Sequence, residues 1–384
     1  MELTFETWYE DDKVIKSALV KNNDCPDKRY YFSFPKWTEE KLTDRADPFL
    51  MALIFELMET GGKIQIQGEV SFSLIKNLEN FSRIWHHWFP KKYKEISLQC
   101  KIAPDDYRPE NRNLVTAFSG GLDASYTTYK FKNHLDKVND FDLKLCVLIW
   151  GADIPLESKE DFSKAYDDAL AMTSDLDVPL AVVETNIRQN LKNWEMMFGS
   201  VVAGILCFFS KECFYGTASD YSAFVYHIPW GMNPITDPLL SSDTFRYFVD
   251  GIYDSRTDRA NLIKDWTVGL EKLRVCWQND DKSKNCGHCE KCIRTMLNFK
   301  VVGLDRLPSM PHSVSLEQIK DKRFSLKPNV LPFYVEILNY GKRNGTLSEE
   351  WVKALQDKIK EAKNQSVKTR IVNILRLIKH KVIL

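Results

Sequence analysis

Leu114-Val115-Thr116-Ala117-Phe118-Ser119-Gly120-Gly121-Leu122-Asp123-Ala124-Ser125 is the stretch on which the reading of this chain turns. Leu114 to Phe118 is an apolar run of strand length, and a helical pattern from Ala124 to Leu135 follows, so the turn between them falls on Gly120 and Gly121. Paired glycines let backbone N–H groups approach an oxygen with no Cβ in the way, and the next helix points its positive dipole end at the same place. Phosphate oxygens fit there. The hydroxyls of Ser119 and Ser125 add donors, Phe118 and Leu122 flank the turn, and the Asp123 carboxylate is a candidate magnesium ligand. No Gly-Lys-Ser/Thr follows and the turn is not G-x-G-x-x-G, so GTPase and hydride-transfer readings fall away.

Working outward, apolar strands at Leu143 to Trp150, Leu180 to Glu184 and Cys213 to Thr217 alternate with helical segments at Lys159 to Met172 and Glu195 to Phe209. That alternation predicts an α/β domain with a doubly wound parallel sheet over residues 111–300. Upstream, residues 1–110 mix short alternating runs at Tyr30 to Phe34 and Lys63 to Gln67 with two helical patterns, a small α+β module. One helix is opened by Asp47 as N-cap with Pro48 in its first turn. His86 and His87, beside Trp85 and Trp88, read as part of a helix packed on the same module. Residues 301–384 are Pro-punctuated and then helical: Ser348-Glu349-Glu350 opens a charged helix, and the tail from Lys368 to Leu384 has no acidic residue. The tail reads as a last helix with its Ile and Leu face on the body; contact with an anionic membrane or a partner is the other reading.

Cys276-x9-Cys286-x2-Cys289-x2-Cys292 has the number and tight spacing of a tetrahedral zinc site, three thiolates from one knuckle and the fourth from a preceding strand end. Gly287 allows the turn, Asn285 is placed to satisfy backbone there, and His288 reads as a bystander because four sulfurs complete the shell. Iron–sulfur runs share C-x2-C-x2-C, but no downstream Cys-Pro follows. A closed four-sulfur shell has no open position for substrate, which makes the expected role of the zinc structural.

S-G-G-x-D after a strand resembles the pyrophosphate loop of the N-type ATP pyrophosphatase (PP-loop) superfamily, which includes asparagine synthetase and tRNA thiolases. The C-G-x-C-x-x-C end, and Gly216-Thr217-Ala218-Ser219-Asp220-Tyr221-Ser222 after the fourth strand, make the chain similar to 7-cyano-7-deazaguanine synthase. The likeness covers residues 113 to 300. It implies an adenine nucleotide alpha hydrolase-like fold, a loop that grips the β and γ phosphates of ATP with Mg2+, and AMP and pyrophosphate as products. There are departures. Ala124 stands where the family usually has serine, removing a hydrogen bond worth roughly 1 kcal/mol. No Tyr-Pro-Asp-Cys-Arg follows Ser222; an insert with His227, Pro229, Trp230 and Asp237 stands there instead, and Arg294 falls two residues after Cys292 rather than three. These departures bear on the substrate.

The composition sets outer limits. At 384 residues, with 44% hydrophobic and 28% charged, the chain should form two or three packed domains. Lysine plus arginine and aspartate plus glutamate both number 53, so no overall field gathers a nucleic acid, and sulfur transfer to tRNA is disfavoured. An acidic start without a signal-peptide pattern predicts a cytoplasmic protein. The apolar run Val201 to Phe209 is too short to cross a bilayer, which needs roughly 20 residues, and predicts a buried helix.

Asp153, in Trp150-Gly151-Ala152-Asp153-Ile154-Pro155, and Glu184-Thr185-Asn186-Ile187-Arg188 close strands on the edge where such sheets bind ligands. Asp153 is a candidate nucleotide contact, Asp220 a second acidic partner, and Arg256 and Arg294 candidates to neutralise phosphate charge. The function expected is ATP-dependent activation: a carboxylate or amide oxygen of a purine-like acceptor is adenylated, and ammonia or an amine displaces AMP. The alternative is a nucleotide-binding, noncatalytic or protein-modifying subunit of a defence or biosynthetic complex. In that reading residues 1–110 take a protein partner; a homodimer is compatible with both.

Overall fold

The computed structural model describes residues 1–22, 25–104, 111–219, 229–276, 278–281, 283–321, 326–327, 330–345 and 349–364. The chain forms an α/β protein with a mostly parallel sheet and a helical C-terminal region. It divides into two compact units, the first of Met1–Tyr253 with Lys272–Arg274 and Asp281–Ser283, the second of Asp254–Glu271, Val275–Asp280 and Lys284–Leu384.

In the first unit a meander of β1 (Glu2–Glu10), β2 (Lys13–Asn22) and β3 (Cys25–Pro35) leads to α1 (Asp47–Thr60), β4 (Gly62–Val70), α2 (Phe72–Trp88) and β5 (Ile96–Ile102). The α/β alternation follows as β6 (Asn113–Ala117), α3 (Leu122–Lys132), β7 (Asp142–Trp150), α4 (Lys159–Asp175), β8 (Leu180–Thr185), α5 (Ile187–Asn190), α6 (Trp194–Cys207), β9 (Tyr215–Ser219) and β10 (Arg246–Asp250). Among the described residues all ten strands join one sheet, in the order β10-β9-β6-β7-β8-β3-β2-β1-β4-β5. The neighbours from β10 to β8 are parallel, β8 to β1 antiparallel, and β1 to β5 parallel again. Residues 1–110 therefore extend the sheet of the following strands, through Phe32 and Ser33 of β3 paired with Thr185 and Glu184 of β8. The fourth apolar strand, expected over Cys213 to Thr217, starts two residues later because Cys213 N–H still bonds Phe209 O in the turn that ends α6.

The core of this unit sits where β3 meets α1 and α6. Phe32, Phe34, Phe49 and Phe208 pack at tilted to edge-on angles, centroids 4.9 to 5.7 Å apart. Residues Trp194–Lys211 are apolar and long enough to cross a membrane by composition, yet 72% of that window is buried in the protein. Gly204 is the reason α6 can lie so deep: a Cβ there would stand 2.4 Å from Pro48 O and 2.7 Å from Ala52 N of α1. Asp47 is not an N-cap. It is the first residue of α1, and its carboxylate instead accepts from the Ser71 amide at 2.9 Å and from the Ser71 hydroxyl, tying α1 to the start of α2. His86 lies on α2 and bonds Tyr93 O at 2.7 Å, beside the buried Trp85.

The second unit is helical: α7 (Arg256–Ile263), α8 (Thr267–Lys272, its last residue in the first unit), α9 (Glu290–Val301), α10 (Leu316–Lys320), α11 (Leu331–Arg343) and α12 (350–364). Ser348 and the tail from Lys368 lie outside the described residues.

Candidate functional site

The turn Ser119-Gly120-Gly121 leaves the C-terminal end of β6 and enters α3. From β6 the chain steps through β7 and β8 on one side and then returns to β9 on the other side of β6. The C-terminal edge of β6 is thus the point where strand order reverses, the crevice in which open α/β sheets bind ligands. Gly120 has φ +72°, a left-handed conformation costly for any residue with a Cβ, although an added Cβ would meet no atom within 4 Å. Gly121 is the N-cap of α3 and has no side chain with which to cap the first amides of this 11-residue helix. The Ser125 hydroxyl is fully buried and has no hydrogen-bond partner in the structure. Phe118 is buried, its amide extending the ladder to Val147 O at 2.8 Å, while Asp123 is half-buried.

One residue that sequence reading did not single out braces this turn. Arg274 donates its backbone N–H to Gly120 O at 2.8 Å, and its guanidinium donates to Ser119 O at 3.0 Å. Burial lowers the Arg274 pKa, opposed by the carboxylates of Asp153 and Asp168, and Asp168 also pairs with Lys272 at 2.9 Å. Asp153, expected as a nucleotide contact, is an exposed residue whose charge acts on this arginine.

Along the same edge the loop residues are largely held by each other. Gly151 has φ +92°, and a Cβ there would overlap Thr185 O. Arg188 bonds Ala152 O and lies over the Trp194 ring. Glu184 accepts from Tyr31 Oη at 3.0 Å and pairs with Lys13 at 3.2 Å, and Asn186 bonds the β3 backbone at Tyr31 N and Arg29 O. Glu184 and Asn186 therefore serve the β3–β8 seam. Hydroxyls lace the other side: Thr116 to Thr217 O, Thr217 to Phe248 O and Ser219 to Asp250 O. Asp250, buried at the end of β10, accepts from Thr127 at 2.7 Å and pairs with Lys130, locking α3 to the sheet.

The second unit holds the cysteine cluster. The four Sγ atoms of Cys276, Cys286, Cys289 and Cys292 lie within 4.8 Å of one another. Cys276 and Cys289 are 3.7 Å apart, and Cys286 and Cys292 are 3.9 Å apart. Four sulfurs on tetrahedral zinc at about 2.3 Å would stand about 3.8 Å from each other, whereas a disulfide needs about 2.05 Å. The donor set therefore fits a four-coordinate metal ion. Amides of the knuckle point at sulfur, Cys289 N–H to Cys286 Sγ at 3.3 Å and Cys292 N–H to Cys289 Sγ at 3.5 Å. The Cys292 side chain and amide donating to Cys289 lower its thiol pKa, and the same sulfur contact raises that of Cys292. Cys276 sits on an irregular segment, not a strand end, and Asn285 fixes it by accepting from the Val275 and Cys276 amides at 2.9 and 3.1 Å. His288 is exposed, and its ring bonds the Cys286 carbonyl at 2.8 Å.

Arg256 and Arg294 also belong to the second unit, and both are buried. Arg294 pairs with Glu290 at 3.1 Å and stacks on the Phe333 ring at 4.2 Å, and Tyr334 Oη shares the same carboxylate. Asp220, Tyr221, Ser222 and His227 lie outside the described residues; Trp230 and Asp237 of the insert are described, and Asp237 is buried. A cavity of about 330 Å³ lies elsewhere in the first unit, lined by Asn22, Cys25, Lys28, Glu56, Lys192 and Met197 among others, and includes none of the loop residues. Fold and site together define an α/β protein with a glycine turn at its strand-order reversal and a four-cysteine centre able to hold a metal. No protein-family model, curated protein or solved structure matches the chain.

Proposed function

We propose that this chain is an ATP-dependent activating enzyme of the pyrophosphate-loop type. The observation that carries the reading is the Ser119–Asp123 turn at the strand-order reversal, with left-handed Gly120, a glycine N-cap on α3 and the unpartnered Ser125 hydroxyl. Amides and hydroxyls of Ser119, Gly120, Gly121, Leu122 and Ser125 receive the β and γ phosphates, and Asp123 is the Mg2+ ligand. Magnesium, when bound, screens the triphosphate. A carboxylate or amide oxygen of a small purine-like acceptor attacks the α-phosphate, pyrophosphate departs, and ammonia or an amine displaces AMP. The protein's part is to orient and neutralise, so no protein nucleophile is needed. Asp220 is the candidate second acidic partner for Mg2+ or for an amine substrate. Zinc, when bound by the four cysteines, supplies a closed structural centre.

Nucleotide products are the test, with ATP, magnesium, ammonia and 7-carboxy-7-deazaguanine. AMP and pyrophosphate formed only with the deazaguanine support the reaction and the acceptor together. AMP formed without it keeps the chemistry and moves the acceptor to another carboxylate, a protein included. ADP and phosphate, or turnover unchanged in Asp123→Asn, refute the loop assignment; tight ATP binding without turnover favours the noncatalytic subunit.

A further inference from the structure

A peptide bond is planar and trans, so the N–H of a residue points opposite to the C=O of the residue before it. Whatever holds the carbonyls of Ser119 and Gly120 therefore sets the direction of the amides of Gly120 and Gly121. Both carbonyls are held by one residue: the Arg274 backbone N–H takes Gly120 O at 2.8 Å and its guanidinium takes Ser119 O at 3.0 Å. Gly120 is buried, and an added Cβ there would meet no atom within 4 Å, so its left-handed φ rather than crowding reserves the position for glycine. Two consecutive amides aimed away from an anchored cation, next to a helix N-terminus whose N-cap is glycine, make an anion-binding concavity.

We propose that Arg274 is the positioning residue of the phosphate turn, presenting the Gly120 and Gly121 amides to the pyrophosphate portion of a bound nucleotide. Arg274 acts from behind the turn, through the backbone. The carboxylates of Asp153 and Asp168 favour its charged form against the burial, and the Lys272–Asp168 pair at 2.9 Å anchors the segment that carries it. The inference rests on the nucleotide reading of the turn and names the part of the nucleotide that Arg274 governs.

The test is equilibrium binding of MgATP, inorganic pyrophosphate and AMP to the wild-type chain, Arg274→Lys and Arg274→Gln, with thermal unfolding of each. Arg274→Gln should weaken MgATP and pyrophosphate about 10- to 100-fold, the loss of hydrogen bonds at a charged group, and leave AMP within about 3-fold. Arg274→Lys should recover part of the loss, because it keeps the charge and the backbone bond but loses the planar fork. Equal weakening of all three probes would mean general damage and overturn the proposal, as would unchanged pyrophosphate binding, which leaves the nucleotide reading standing. Wild-type protein that binds neither MgATP nor pyrophosphate overturns both.

Discussion

At the scale of single residues, the glycines show how backbone geometry and space divide the cost of a side chain. Gly120 has φ +72° and no atom near an added Cβ, so Gly120→Ala meets only the left-handed penalty, about 1–2 kcal/mol. Chemical denaturation should show that loss, and the variant should also bind nucleotide less tightly because the turn relaxes away from its phosphate-binding shape. Gly151 differs: a Cβ would stand 1.9 Å from Thr185 O, so Gly151→Ala should cost more than Gly120→Ala in the same experiment. Glycine doublets are visible in a sequence, but only coordinates separate a glycine needed for its φ from one needed for its missing atoms.

At the scale of elements, Asp47 joins α1 to α2 and carries a pH signature. Burial pushes its carboxyl up to about 6, against the Ser71 hydrogen bonds and the Arg45 charge. A carboxyl raised above its unfolded value of about 3.9 binds its proton more tightly when folded. Its contribution is therefore fully present below about pH 4 and is lost as the pH rises through about 6, roughly 2–3 kcal/mol in all. Stability measured across pH 4 to 7 should fall less in Asp47→Asn than in wild type; parallel curves would contradict the assignment. The cysteine knuckle is the second element with a clear test. Elemental analysis should find one zinc per chain, and Cys289→Ser or chelation should lower both occupancy and melting temperature. Acid should release the metal, since protons compete for the thiolates.

For the whole molecule, the seam between β3 and β8 matters most. The ten strands of the described residues share one sheet, and α1 packs on α6 through Gly204. Removing residues 1–110 would expose the β8 edge and the apolar face of α6, a paired edge and a core surface at once. The truncated chain is expected to be insoluble, judged by soluble yield beside the full chain. A monomeric, folded 111–384 fragment would show that the later strands form a self-sufficient core.

Much of this was written locally in the chain. The strand-turn-helix of residues 113–132, the later strands and the cysteine spacing are legible because each depends on neighbours within a turn or a few residues, where periodicity and glycine placement act directly. The strand after α6 was misplaced by two residues and Asp47 was misread as a cap, because a distant partner decides each: the turn at Phe209 and the hydroxyl and amide of Ser71. The join of β3 to β8, and Arg274 against a turn 155 residues away, left no local trace at all. Backbone carbonyls carry no side-chain pattern, so which distant donor reaches them is decided only when the sheet assembles and its edges meet.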